Sequence, residues 1–174
     1  MAQIVANLRE FAQLDRGRVT EVDLNASIDQ AVQLLGEHLA RLNIEVVRDY
    51  DALPVLTCAT ASINQVLFHL LMNAVHAIED GKKPTRRLRI VTRRELDELV
   101  IEIIDNGCGI PAEVLPRIFD PFFTTKQVGR GAGLGLSISH GIVAEHGGRI
   151  EVESVWEQGS LIRVRLPFRG TRPS

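Results

Sequence analysis

Four glycines at alternate positions, Gly129, Gly131, Gly133 and Gly135, run straight into a segment with helical apolar spacing, and this junction restricts the fold more than any other feature of the chain. Glycine weakens both helix and strand, so the run must be a loop that delivers the chain to a helix N-terminus. Unpaired amides there, with the partial positive charge of the helix end, attract anions at roughly 0.3–1 kcal/mol per contact. Phosphate groups suit such a site. The same glycines would let the loop open and close as a lid. A flexible linker is the competing reading, although linkers seldom lead directly into a strongly amphipathic helix. Two familiar phosphate loops are excluded: the chain has no G-x-x-x-x-G-K-[ST], and a strand-G-x-G-x-x-G-helix unit fails because position 136 is Leu136.

The rest of the pattern mixes helix and strand. Ile4, Leu8 and Phe11 give helical spacing from Met1 to Leu14, and the polar segment Asp15 to Thr20 reads as a linker. Leu24, Ile28, Ala31, Val32, Leu35, Leu39 and Leu42 form one helical stripe, with Asp23 or Asn25 as N-cap. A strand is expected over Ile44 to Tyr50, a short extended piece after Pro54, and a long helix from about Thr60 to Ile78. Arg87 to Arg93 and Leu99 to Asp105 look like a hairpin at the centre of a sheet. The helix after the glycines should run to about His146 and end at Gly147 and Gly148, before strands near Arg149 to Ser154 and Leu161 to Pro167. Without regular βαβ alternation, helices layered on one face of a mixed or antiparallel sheet are favoured.

Composition narrows the function. A length of 174 residues supports one domain with a full core. No apolar run approaches the roughly 18 residues of a membrane span, and the N-terminus lacks a signal-peptide pattern. A soluble domain is expected. Net charge is −2, from 20 basic and 22 acidic residues, so no field points to nucleic acid or to an anionic membrane. Cys58 and Cys108 are too few for a zinc cluster or a disulfide framework, which fits a reducing compartment.

Two further constellations carry chemistry. His69, Asn73, His76 and Asp80 share one stripe of the long helix, while Ile63, Val66, Leu67, Leu70, Leu71, Ala74 and Ile78 occupy the core sector. The polar stripe could simply meet solvent, but the carboxamide oxygen of Asn73 is a hard neutral ligand suited to magnesium that already carries phosphates. The string Asp105-Asn106-Gly107-Cys108-Gly109-Ile110 stands where a hydrophobic strand ends. A carboxylate there can accept a hydrogen bond from an exocyclic amine, while the glycines let a flat ring approach the backbone. Adenine fits that description; an ordinary tight turn is the alternative.

In this order the boxes resemble the histidine kinase branch of the gyrase, heat-shock chaperone, histidine kinase and MutL ATPase superfamily. Gln65 to Ala77 is similar to the asparagine box, Asp105 to Ile110 to the first glycine box, Ile118 to Lys126 to the phenylalanine box, and Gly131 to Ile138 to the second glycine box. The resemblance covers about Val22 to Pro167. It implies an α+β fold, the two-layer α/β sandwich known as the Bergerat ATP-binding fold. It also implies a catalytic domain over residues 19–170, the end of a dimerisation helix plus linker over 1–18, and a tail at 171–174. By the same resemblance Asp105 reads the adenine amine, Asn73 binds Mg2+, Gly107, Gly109 and Ile110 shape the adenine pocket, and Gly131, Gly133, Leu134 and Gly135 contact the ATP phosphates. Lys126 would neutralise phosphate charge, and Phe119, Phe122 and Phe123 would anchor the lid, Phe122 among the nucleotide-binding residues. The string DPFFTTK resembles kinases of the nitrogen-regulation type.

The departures are informative. His69 stands where the family usually has asparagine and where chaperone and topoisomerase ATPases place a glutamate base, so a direct role for it at the phosphates is open. Ala132 replaces a common threonine, and Arg130 adds a charge. Cys108, beside the adenine pocket, reads as packing rather than redox chemistry. A histidine kinase phosphorylates a histidine followed by an acidic residue, and none of His38, His69, His76, His140 and His146 has that neighbour. The resemblance therefore implies a cytoplasmic kinase fragment, from a cytoplasmic parent or from the cytoplasmic part of a membrane sensor, that needs a histidine-bearing dimerisation domain from its parent, a homodimer in full, with a response regulator downstream. A catalytically silent ATP-binding module and a serine kinase of the anti-sigma type remain alternatives.

Overall fold

The computed structural model describes residues 19–124 and 133–168. Strand β1 (Val19–Val22) pairs antiparallel with β3 (Leu56–Ala59) in a two-stranded sheet, although the sequence around 15–20 reads as linker. Helices α1 (Leu24–Leu34) and α2 (Gly36–Arg41) replace the single helix expected over 24–42. Asp23 caps α1 by accepting the Ala26 N–H at 3.1 Å. Leu35 closes α1 and opens α2, and because Leu35 and Leu39 are both buried the apolar stripe runs through the break.

The main sheet has the order β2-β4-β5-β7-β6, built from β2 (Glu45–Tyr50), β4 (Arg87–Glu95), β5 (Glu98–Asp105), β6 (Arg149–Val155) and β7 (Gly159–Pro167). It is mixed: β2 runs parallel to β4 and the remaining pairs are antiparallel. The hairpin β4-β5 lies centrally, as its β-branched composition suggests. Side chains alternate across the sheet. One face presents Ile90, Leu99, Ile101, Ile103, Ile162, Val164 and Leu166 to the core. The other carries Arg93, Glu102, Glu151, Arg163 and Arg165 in an ion-pair lattice, with Arg163 Nε 2.8 Å from Glu102.

Helices α3 (Thr60–Gly81) and α4 (Gly135–Glu145) cover the apolar face. All seven residues assigned to the core sector of the long helix are buried, and each fully buried Leu or Ile contributes about 1.5–3 kcal/mol. Helix α4 ends as expected, with Gly147 at φ +72° and the N–H groups of Gly147 and Gly148 donating to the carbonyls of Ala144 and Val143. It is not strongly amphipathic: Leu136 and Val143, seven residues apart, share the core side, while Ile138 is 37% exposed at the cavity and Ser139 is fully buried. The helix expected over Met1 to Leu14 and the tail 171–174 lie outside the described residues.

Candidate nucleotide-binding site

A cavity of about 650 Å³ opens between the end of β5, the polar stripe of α3 and the start of α4. That is within the range of small-molecule sites. His69, Asn73, His76 and Asp80 all line it, so the polar stripe faces a shared space rather than bulk solvent.

Asp105 is the last residue of β5, in register with Leu88 and Ser160. The two-residue period that buries Leu99, Ile101 and Ile103 also turns its side chain toward the helices, where it is 5% exposed. Burial pushes the carboxyl up to about 6, opposed by the backbone N–H groups of Gly107 and Ser160 and by the charge of Lys83. The Gly107 N–H donates to Oδ1 at 2.8 Å. A carboxylate has about four acceptor positions, so capacity remains for a donor in the cavity.

The loop after Asp105 is fastened on every side. Asn106 accepts the Arg87 N–H and donates to the Thr85 carbonyl, both at 2.8 Å. Cys108 donates to Ala77 of α3 and accepts from Glu157, and the Ile110 N–H donates to Ser154 Oγ. Gly109, at φ +69°, lines the cavity with Ile110, and a Cβ on it would stand 2.1 Å from the Val155 carbonyl oxygen. Gly107 does not line the cavity, contrary to expectation. Its missing side chain serves close packing instead, since a Cβ would fall 2.3 Å from the Ala77 carbonyl carbon.

At the far end, Gly133, Leu134 and Gly135 line the cavity at the N-terminus of α4. Gly133 has φ +67° and rests on the backbone of Phe122 and Phe123. A Cβ on Gly135 would lie 3.8 Å from the His69 ring, which brings His69 to this end. Nδ1 of His69 is buried without a hydrogen-bond partner among the described residues, and burial lowers the pKa of the ring, which keeps it neutral. From His69 to Ala77, eight residues at 1.5 Å each, α3 measures roughly 12 Å between the two ends of the cavity.

The phenylalanines divide. Phe123 lines the cavity beneath Arg117, whose guanidinium lies 4.5 Å from the ring centre, and Phe119 packs on the core against His140. Phe122 does not line the cavity. It is 74% exposed at φ +66°, because the turn that brings Phe123 N–H to the Asp120 carbonyl points its ring outward, and Gly133 meets its backbone only. Lys126, Gly129, Arg130, Gly131 and Ala132 lie outside the described residues. Sequence reasoning missed Trp156 and Ser160 in the wall; Ser160 is the cross-strand partner of Asp105, which only the register reveals.

Residues 59–170 match the family described as histidine kinase-, DNA gyrase B- and HSP90-like ATPase. The chain belongs to that family. Among its relatives are the C4-dicarboxylate transport sensor protein DctB of Pseudomonas aeruginosa, 32% identical over 95% of this chain, and the sensor histidine kinase ZraS of Escherichia coli, 35% identical over 98%. The sensory histidine kinase/phosphatase NtrB of Rhizobium leguminosarum is 33% identical over 96%, in keeping with the nitrogen-regulation resemblance. The chain spans 27%, 36% and 46% of the lengths of these three. Among solved structures, the catalytic domain of histidine kinase ThkA is 31% identical, with a TM-score of 0.76 over 87% of this chain and 96% of its own. ThkA in complex with the response regulator TrrA superposes with a TM-score of 0.72 at 28% identity, over 96% of this chain and 47% of that one. The family match and the likeness to the ThkA catalytic domain thereby establish the α+β ATPase fold for this chain. Among the described residues no helix is long and apolar enough to cross a membrane.

Proposed function

We propose that the cavity holds Mg-ATP and presents its γ-phosphoryl group to a histidine on a separate dimerisation domain of the parent protein. The observation that carries this reading is that Asp105 and Asn73 line one cavity that ends at the amides of α4. Asp105 accepts a hydrogen bond from the adenine amine, with Gly109 and Ile110 beside the ring. Gly133, Leu134 and Gly135, joined by Gly131 and Lys126, meet the phosphates at the helix N-terminus. His69 lines the cavity beside Gly135, and its neutral ring can donate to a phosphate oxygen. Asn73 supplies a neutral oxygen to magnesium, which when bound neutralises phosphate charge and fixes its orientation.

The protein's contribution is positioning and charge neutralisation. The acceptor imidazole attacks phosphorus, the bond from the β–γ bridging oxygen to the γ-phosphorus breaks, ADP leaves, and the imidazole proton passes to solvent. Residues 1–18 then form the end of a dimerisation helix with its linker, residues 19–170 the catalytic domain, and 171–174 a tail. The full protein is a homodimer working on ATP in the cytoplasm and passing its phosphoryl group to a response-regulator aspartate. Mixing the chain with a matching histidine-bearing domain and labelled ATP tests this. An acid-labile phosphoprotein supports the reading; an acid-stable product would indicate serine phosphorylation, and no transfer at all a silent ATP-binding module.

A further inference from the structure

The turn joining β6 to β7 carries Trp156, the only tryptophan of the chain. Trp156 lines the cavity and is 53% exposed. A tight surface turn has no packing need for so large an apolar ring, and half of its area is left in water. The turn is nevertheless held firmly. Glu157, itself at φ +61°, donates to the Cys108 carbonyl at 2.7 Å, Lys83 Nζ donates to the Gln158 carbonyl at 2.9 Å, and a Cβ on Gly109 would lie 3.1 Å from the Trp156 Cα.

These contacts hold the turn at the Asp105 end of the cavity, which Trp156 lines. Ser154, just before the turn, accepts the Ile110 N–H, and Ser160, just after it, is in register with Asp105. The phosphate end, where His69 approaches Gly135, lies some two turns of α3 away from the Ala77–Cys108 contact.

We propose that Trp156 is a nucleotide-recognition residue whose indole packs against the base and ribose while Asp105 holds the base by its edge. The inference rests on the ATP-binding reading above. A carboxylate bonded to an exocyclic amine lies near the plane of the purine and leaves its faces uncovered, and an aromatic ring satisfies a face with little regard to which base it is. Asp105 therefore selects adenine, while Trp156 adds affinity that does not depend on the number of phosphates.

The indole is also the reporter. The full chain is titrated with adenosine, ADP and Mg-ATP while tryptophan emission is followed, and affinities are measured by calorimetry for Trp156→Ala and Trp156→Phe. Adenosine should change the emission, and Trp156→Ala should weaken adenosine and Mg-ATP by one common factor, on the order of tenfold, with Trp156→Phe recovering most of it. Emission that ignores saturating adenosine overturns the proposal, as does an alanine variant within about twofold of the parent for both ligands, or a loss confined to Mg-ATP. If the parent binds Mg-ATP in an Asp105-dependent way and Trp156 is silent, only this inference falls. A parent that binds no nucleotide removes both readings.

Discussion

The main-chain N–H of Cys108 donates a 2.9 Å hydrogen bond to the carbonyl of Ala77, which fastens the loop after β5 to the last turns of α3. Two cavity-lining elements far apart in sequence are thereby held at a fixed separation, and glycine at 107 and 81 makes the approach possible. Replacing Gly107 by alanine forces a methyl group against the helix backbone. Gly107→Ala should cost about 1–3 kcal/mol of stability, or more if the loop detaches, measured by denaturant unfolding. Unchanged stability would mean that the loop does not pack this closely.

Asp105 gives a pH dependence of known sign. Its folded pKa of about 6 lies above the ordinary 3.8, so its contribution to stability is full below 3.8 and is lost as pH rises through about 6. Near pH 8 the protein carries a buried charge. Asp105→Asn should therefore be more stable there, on the order of 2 kcal/mol, and the difference should vanish in acid. Nucleotide affinity in the parent should fall as pH drops through about 6, because the protonated carboxyl is a poorer acceptor. Paired melting and binding curves across pH 5–8 check both signs.

His146 joins two helices. Its Nδ1 lies 2.7 Å from the Ile142 carbonyl and so carries the proton, which leaves Nε2 to accept the Ala59 N–H at the start of α3. His146→Ala leaves that N–H without its partner and should destabilise by about 1–2 kcal/mol, seen as a lower denaturation midpoint.

Much of this was legible in sequence wherever the signal is local. The stripe of α3 separates because 3.6-residue spacing sorts Asn73 from Leu70 and Leu71, and Asp105 is marked by standing where an apolar strand meets glycine. Non-local pairings were not legible. Strand β1 has four residues, and its partner Ala59 lies far down the chain from Val19, so nothing near it betrays a sheet. The break at Leu35 hid because both halves bury the same stripe. Phe122 misled, since the resemblance sets it among the nucleotide-binding residues whereas a left-handed backbone turns its ring outward. Gly107 was matched to the adenine pocket when its real constraint is the helix behind it.

Asn73 separates metal from base. Asn73→Ala should leave adenosine affinity unchanged while shrinking the gain that magnesium gives to ATP, and removing magnesium from the parent with a chelator should have the same effect. Calorimetry with and without the metal shows it.

The central claim is that one cavity recognises adenine through Asp105, and titrating Mg-ATP into the parent and Asp105→Asn chains near neutral pH tests it most directly. The variant should lose on the order of 2 kcal/mol or more of binding free energy, the cost of a charged hydrogen bond whose partner is stranded. Equal affinity in the two chains would contradict the assignment.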